Sequence, residues 1–287
     1  MEKSIRSFEG KWWAVLDEKE SSAQKEIKTT LAPFEESVKT VYECGTNVIF
    51  LKGENIHKED IKLAALFLKR CLADFRVIWN LLNTGYASQA GTIIAGTFEN
   101  ALLVSAVAGD AKETKKLIKI MSKGNSWPIK ELCKKLSRKN VSSKEGLTKR
   151  EAEKKFELGW RASYGIYMWL CMLKHPTLPS LIHDAFSSSP DNDAYFLLTM
   201  PDTRKEDFAL KTSVLYQVVT QVYTAICSFS EALNIDQNNP DFLYWNDRLK
   251  KAINVFVKLF FDINPSLPFP LIKYKIRQEY MEILESD

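Results

Sequence analysis

The chain has 287 residues, 45% of them apolar and 26% charged, with a formal net charge of +4. It is long enough to bury a large core in one or two domains, and eleven glycines are few for a turn-rich β fold. The five cysteines (Cys44, Cys71, Cys133, Cys171, Cys227) are odd in number, widely spaced and form no C-x-x-C, which argues against a disulfide framework or a structural zinc site and points to a reducing, cytoplasmic home.

The opening MEKSIRSFEGKWW sets Glu2 and Glu9 among its basic residues, unlike a secretory signal. Three- and four-residue apolar spacing then predicts helices almost throughout. The first runs from Glu26 to about Ile49, with Pro33 as its start or a kink, and Gly53 to Asn55 break the chain. The second spans Asp60 to Asn83. Its stripe Ala64, Phe67, Cys71, Phe75, Ile78, Leu82 faces a core, and a flanking stripe of Leu63, Arg70, Asp74, Val77 and Leu81 widens the buried face, placing Arg70 one turn from Asp74 as a partner.

Gly85 ends that helix, and Tyr86 to Ala108 returns as its hairpin partner, apolar nearly all round. Ala87, Ala90, Gly91, Ala95 and Gly96 would admit close neighbours. Between Arg76 and Asp110 the only formal charge is Glu99, and on a helix apolar nearly all round it is expected to face inward and be buried. A carboxylate in such surroundings needs a partner, a hydrogen bond or a proton, and groups held that way mark functional sites.

Residues 111–155 carry fifteen Lys or Arg against five Glu, so the remainder of the chain is net acidic. A short helix around Leu117, Ile118 and Met121, a second starting at Trp127-Pro128 and a polar loop from Asn140 to Gly146 are predicted here. Two readings stand side by side: a footprint for nucleic acid or another polyanion, carried by Lys115, Lys119, Lys134, Lys135 and Arg138, or amphipathic helices with solvated lysine faces docked on the acidic remainder. A long helix from Glu151 to Lys174 ends at His175-Pro176, with Trp160, Tyr164, Met168, Cys171 and His175 on one stripe. His175 is either a helix C-cap or an acid–base group.

Residues 177–205 are rich in turn signals and read as a crossover loop or a lid. Asp207 to Leu233 follows as an uncharged central helix, Asn239-Pro240-Asp241 opens another to about Asp262, and Pro265, Pro268 and Pro270 precede a last one through Ile283. Tyr86–Gly109 and Thr212–Ser230 are both too polar for lipid, so no membrane span is expected. The fold class is all-α: a multi-helix bundle, one domain over residues 1–287, with two central apolar helices.

No phosphate loop, dinucleotide fingerprint, zincin motif or hydrolase elbow occurs, and the one Glu-x-x-His pair, Glu54 with His57, falls in a loop. No metal site and no cofactor is expected. The run Arg70-x-x-x-Asp74, Leu81-Leu82, Gly85, Ala90 and Phe98-Glu99, followed by Tyr164, Tyr167, Cys171 and His175-Pro176, resembles a family of uncharacterised, mainly bacterial helical proteins of unknown function. Its members tend to show an arginine shortly before the glutamate and a Tyr…Ser/Cys…His segment downstream. This chain departs from that pattern, since Ala95 and Gly96 stand there, and any Arg–Glu unit would have to recruit Arg70 or Arg161.

Three functional expectations result. The first is a binding or interaction protein whose Glu99, tied to Arg70, Arg161, Tyr164 or His175, orients a small ligand. The second is a toxin- or defence-like factor acting on nucleic acid, held by the basic segment, with His175 and Glu99 as acid and base. The third makes Glu99, Arg70 and His175 a structural network that fixes helix register.

Overall fold

The computed structural model describes residues 10–142, 146–175, 200–204 and 207–263, and these form eight α-helices without a strand. They are α1 (Trp12–Asn47), α2 (Glu59–Asn83), α3 (Ala87–Val107), α4 (Ala111–Met121), α5 (Ile129–Ser142), α6 (Lys149–Lys174), α7 (Phe208–Ala232) and α8 (Pro240–Ile263). A 3₁₀ turn at Val48–Leu51 follows α1.

α3 is the hub. It packs on α2, α7, α6, α5 and α4, while α7 packs on α3, α2, α1 and α8, so the two most apolar helices lie at the centre of one all-α bundle. α3 is long and apolar enough to cross a membrane, but 72% of its most apolar window is covered by neighbouring helices. Mutual burial accounts for its composition without lipid.

The α2 stripe predicted to face the core does so: Ala64, Phe67, Cys71, Phe75, Ile78 and Leu82 are all buried. Gly85 turns the chain into α3 at φ +90°, where a side chain would be strained, and Tyr86 N–H closes the α2 terminus on Leu81 O at 2.8 Å. Its carbonyl accepts Asp202 N–H at 2.8 Å, and a Cβ at Gly85 would lie 2.8 Å from Pro201 Cβ, so residues 200–204 dock on this turn.

Four expectations require correction. α1 starts at Trp12 rather than Glu26, and Pro33 lies exposed within it. Its first half buries only Ala23, Ile27 and Leu31, one residue per turn, too narrow a stripe to register as periodicity among so many polar residues. The flanking stripe of α2 is not a buried face: Arg70 and Val77 are exposed, and Arg70 forms no ion pair with Asp74, whose carboxylate accepts Thr97 Oγ1 at 3.3 Å instead. On α6, the stripe from Trp160 to His175 is a half-exposed seam. The buried face is Phe156, Ala162, Gly165, Ile166, Trp169, Leu170 and Leu173. Lastly, a charge does enter the central helix α7: Lys211 is 3% exposed, ion-paired with the fully buried Asp207, and donates to Asp202 O at 2.7 Å. The predicted lid over 177–205 and the helix through Ile283 lie largely or wholly outside the described residues.

Capping chemistry sets several boundaries. Thr148 and Glu151 form a reciprocal capping box at the start of α6, and Asp110 accepts from Glu113 N–H at 3.0 Å at the start of α4. After α1, the loop carrying Gly53 presses on the end of α7. A Cβ there would lie 2.2 Å from Leu233 O, and Asn55 N–H donates to that same carbonyl at 3.1 Å.

Candidate functional site

Glu99 lies on the one outward stripe of α3, with Gln89, Thr92, Ile93, Gly96 and Leu103, each half or fully exposed. Two of those residues are apolar, which hides the stripe from sequence patterning. Glu99 is therefore half-buried rather than enclosed. Its Oε1 accepts the Tyr167 hydroxyl from α6 at 2.9 Å, and the Tyr167 ring stacks on Phe98 with centroids 5.9 Å apart. Burial raises the Tyr167 hydroxyl's pKa well above the ordinary tyrosine value, and hydrogen bonds involving Cys171 and Glu99 raise it further.

The remaining candidates do not gather around Glu99. Arg70 is exposed on α2. Arg161 pairs with Glu157 at 3.1 Å, and His175 is the exposed C-cap of α6. Tyr164 touches the cluster only through its ring, 6.2 Å from that of Tyr167. Among the described residues Glu99 forms no ion pair. The sequence reading passed over Tyr167 because it followed the stripe through Tyr164 instead.

One turn along α3 and α6 a cleft of about 580 Å³ opens between α3, α5, α6 and α7. Leu102, Leu136, Val141 and Leu158 supply apolar wall. Ser105, Ser137, Ser163, Gln221, Thr224 and Ser228 supply hydroxyls and an amide, with Lys139 and Lys155 on the α5–α6 side and Glu231 on α7. The walls are internally fastened. Ser228 Oγ donates to Ser105 Oγ at 3.0 Å, Ser137 Oγ to Phe156 O at 2.8 Å and Lys139 Nζ to Ser105 O at 3.4 Å. Gly159 admits this close α5–α6 approach, since a Cβ there would sit 2.7 Å from Ser137 Oγ.

Cys133 also lines the cleft; burial pushes its thiol up to about 11, against a smaller opposing effect of its hydrogen bond with Ser163. One turn before Gln221 but outside the cleft lining, Gln217 is 1% exposed and its Nε2 has no hydrogen-bond partner among the described residues. Such a donor costs roughly 1–3 kcal/mol when left unsatisfied. The amphipathic lining and volume fall in the range of small-molecule sites, roughly 300–1,000 Å³.

The basic segment is built differently from a free electrostatic surface. Lys130, Lys134 and Arg138 recur every fourth residue on α5, and Tyr164, Trp160 and Phe156 do so on the antiparallel α6. Lys130 Nζ lies 5.9 Å from the Tyr164 ring centroid and 5.5 Å from that of Trp160, Lys134 5.4 Å from Trp160, and the Arg138 guanidinium 3.5 Å from Phe156. Lys135 is held by Glu113 at 2.9 Å and lies 5.4 Å from the Trp127 ring. Of the five predicted nucleic-acid contacts, Lys134, Lys135 and Arg138 are thus engaged inside the molecule. Lys115 and Lys119 stand exposed on α4 without an ion pair among the described residues.

All five cysteines are free, and among the described residues no group of three or more His, Cys, Asp or Glu side chains could hold a metal ion. Comparison with family models, with curated proteins and with solved structures found no match for the chain.

Proposed function

We propose that the chain is a ligand-binding helical bundle whose cleft between α3, α5, α6 and α7 takes a small polar molecule. The observation that carries this reading is the cleft itself: about 580 Å³, with leucine walls and hydroxyl and amide groups converging from four helices. In this reading the Glu99–Tyr167 bond is a buttress. It ties α3 to α6 one turn from the mouth and sets the width of the cleft, rather than touching the ligand.

The polyanion reading finds less support. Lys134, Lys135 and Arg138 already face Glu131, Glu113 and Glu153 at 3.2, 2.9 and 3.0 Å, and cations cover the rings of Trp160 and Phe156 that base stacking would need.

The test is a thermal-melt screen of small polar metabolites. Thr224 is exposed yet lines the cleft, so Thr224→Trp should fill it without disturbing the core. A ligand that raises the melting temperature of the wild type should lose its effect in Thr224→Trp. A screen without any stabilising compound, or a shift that survives unchanged in the variant, overturns the proposal.

A further inference from the structure

A second concavity lies far along the chain from the cleft, between α1 and α2. Its volume is about 370 Å³; Leu31 and Trp79 give it an apolar floor, and its polar walls carry Lys28, Glu35, Lys39 and Arg76. Gln24, Asn80 and Asn83 add amides to the rim. The groove continues into a smaller hollow of about 70 Å³ beside Tyr42 and Phe75, which shares Lys39, Arg76 and Trp79. A bond from the Tyr86 hydroxyl to Glu20 Oε1, 2.6 Å, fastens the start of α1 to that of α3.

The charges in this groove do not cancel. Lys39 is bound by Glu35 at 2.7 Å, and that pairing lowers the carboxyl and raises the ammonium. Among the described residues Glu35 is the one carboxylate in the larger part of the groove, where it also feels the Lys28 charge, and Glu43 in the smaller hollow is already paired with Arg248 at 2.5 Å. Lys28 and Arg76 remain, and neither forms an ion pair among the described residues. Lys28, Lys39 and Arg76 thus set three cations against Glu35 around the apolar floor, and Glu35 and Glu36 outweigh Arg76 in favouring the Lys39 charge. The net positive balance of the lining favours an anion there, most strongly at low salt. The planar guanidinium supplies a two-pronged donor for phosphate or carboxylate oxygens, and the side-chain amides of Asn80 and Asn83 add uncharged donors.

We infer that the α1–α2 groove is a binding site for a compact small molecule with at least two negative charges, phosphate- or carboxylate-borne, gripped by Lys28, Lys39 and Arg76 over Trp79. This site is independent of the α3–α5–α6–α7 cleft and does not rest on the proposal made for it. Phosphate and carboxylate ligands share the chemistry of clustered anionic oxygens, and pyrophosphate and citrate separate the two.

Calorimetric titration of the full chain with pyrophosphate and with citrate, at about 20 mM salt to limit screening, tests the inference. Either anion should bind with near one-to-one stoichiometry, and the tighter of the two identifies the anionic group. Arg76→Gln and Lys28→Gln, both at exposed positions and checked for folding by circular dichroism, should each weaken binding by about tenfold or more. Arg76→Lys should retain part of it. Thr224→Trp in the cleft and Lys115→Gln with Lys119→Gln on α4 should leave it unchanged. The inference fails if neither anion binds, if Arg76→Gln and Lys28→Gln bind as the wild type does, or if the α4 or cleft variants abolish the signal instead.

Discussion

Tyr167 donates its hydroxyl to Glu99 across the α3–α6 seam at 2.9 Å, and no cation completes the pair among the described residues. The carboxylate that stands alone in a long uncharged run is therefore met by a phenol. A neutral donor suits a half-buried place, because it satisfies the acceptor without taking a second charge out of water.

Removal of that bond should be measurable on both sides. Tyr167→Phe and Glu99→Gln should each lower unfolding free energy by about 1–2 kcal/mol in urea. If the pair also sets the width of the cleft, both variants should weaken a ligand that Thr224→Trp excludes. Because the folded state raises the Tyr167 pKa, its proton is held more tightly in the native chain than in the unfolded one. That contribution is complete below the ordinary tyrosine pKa, about 10, and is lost as pH climbs above it. Urea midpoints from pH 9 to 11 should thus fall more steeply for the wild type than for Tyr167→Phe.

The Lys211–Asp207 pair should behave as a buried salt bridge. Lys211→Met or Asp207→Asn alone breaks a pair whose side chains are 3% and 0% exposed and should cost about 3–5 kcal/mol; the double variant should recover much of that loss. A double-mutant cycle in denaturant measures the coupling. Asp202 beside it is pulled two ways. Burial raises its carboxyl, but the Arg204 hydrogen bonds and charge outweigh this and hold it below the usual value. Its contribution is present above the ordinary aspartate pKa, about 4, and disappears as pH falls through the lowered one.

Thiol reactivity should follow burial. Cys171 is half-exposed, whereas Cys71 and Cys133 are buried and raised to about 12 and about 11. At pH 8 an aromatic disulfide reagent should label Cys171 well before Cys71 and Cys133. Cys133 lines the cleft, so a bound ligand should slow its labelling further while leaving Cys71 unaffected.

Gly53→Ala should be disproportionately harmful for a loop substitution. The new Cβ would fall 2.2 Å from Leu233 O, and that carbonyl belongs to the backbone and cannot swing aside. About 2–4 kcal/mol of stability should be lost, with faster amide exchange at Asn55, whose N–H uses the same carbonyl.

Helix identities were legible wherever one face was apolar and its boundary chemistry strong. The α2 stripe from Ala64 to Leu82, the Gly85 turn and the end of α6 at Lys174 all rest on local signals. The start of α1 was not legible, because a helix held by one buried residue per turn leaves no stripe. The partner of Glu99 was not legible either. On α6 apolar and aromatic residues occur on most sides, so spacing alone could not favour Tyr167 over Tyr164. The cation–aromatic ladder was partly readable, since Lys130, Lys134 and Arg138 and the rings of Phe156, Trp160 and Tyr164 share a four-residue period. It required only the step of laying two antiparallel helices side by side.

The central position of α3 also governs how the chain must be assembled. Its α2 side is met at once by a neighbour just across the Gly85 turn, but the side that meets α7 waits for residues from 208 onward, about a hundred positions later in synthesis. Until that segment leaves the ribosome, an uncharged, alanine-rich and aliphatic surface stands bare, prone to sticking and open to chaperones. Truncations that end before α7 should therefore yield aggregates rather than a smaller folded bundle.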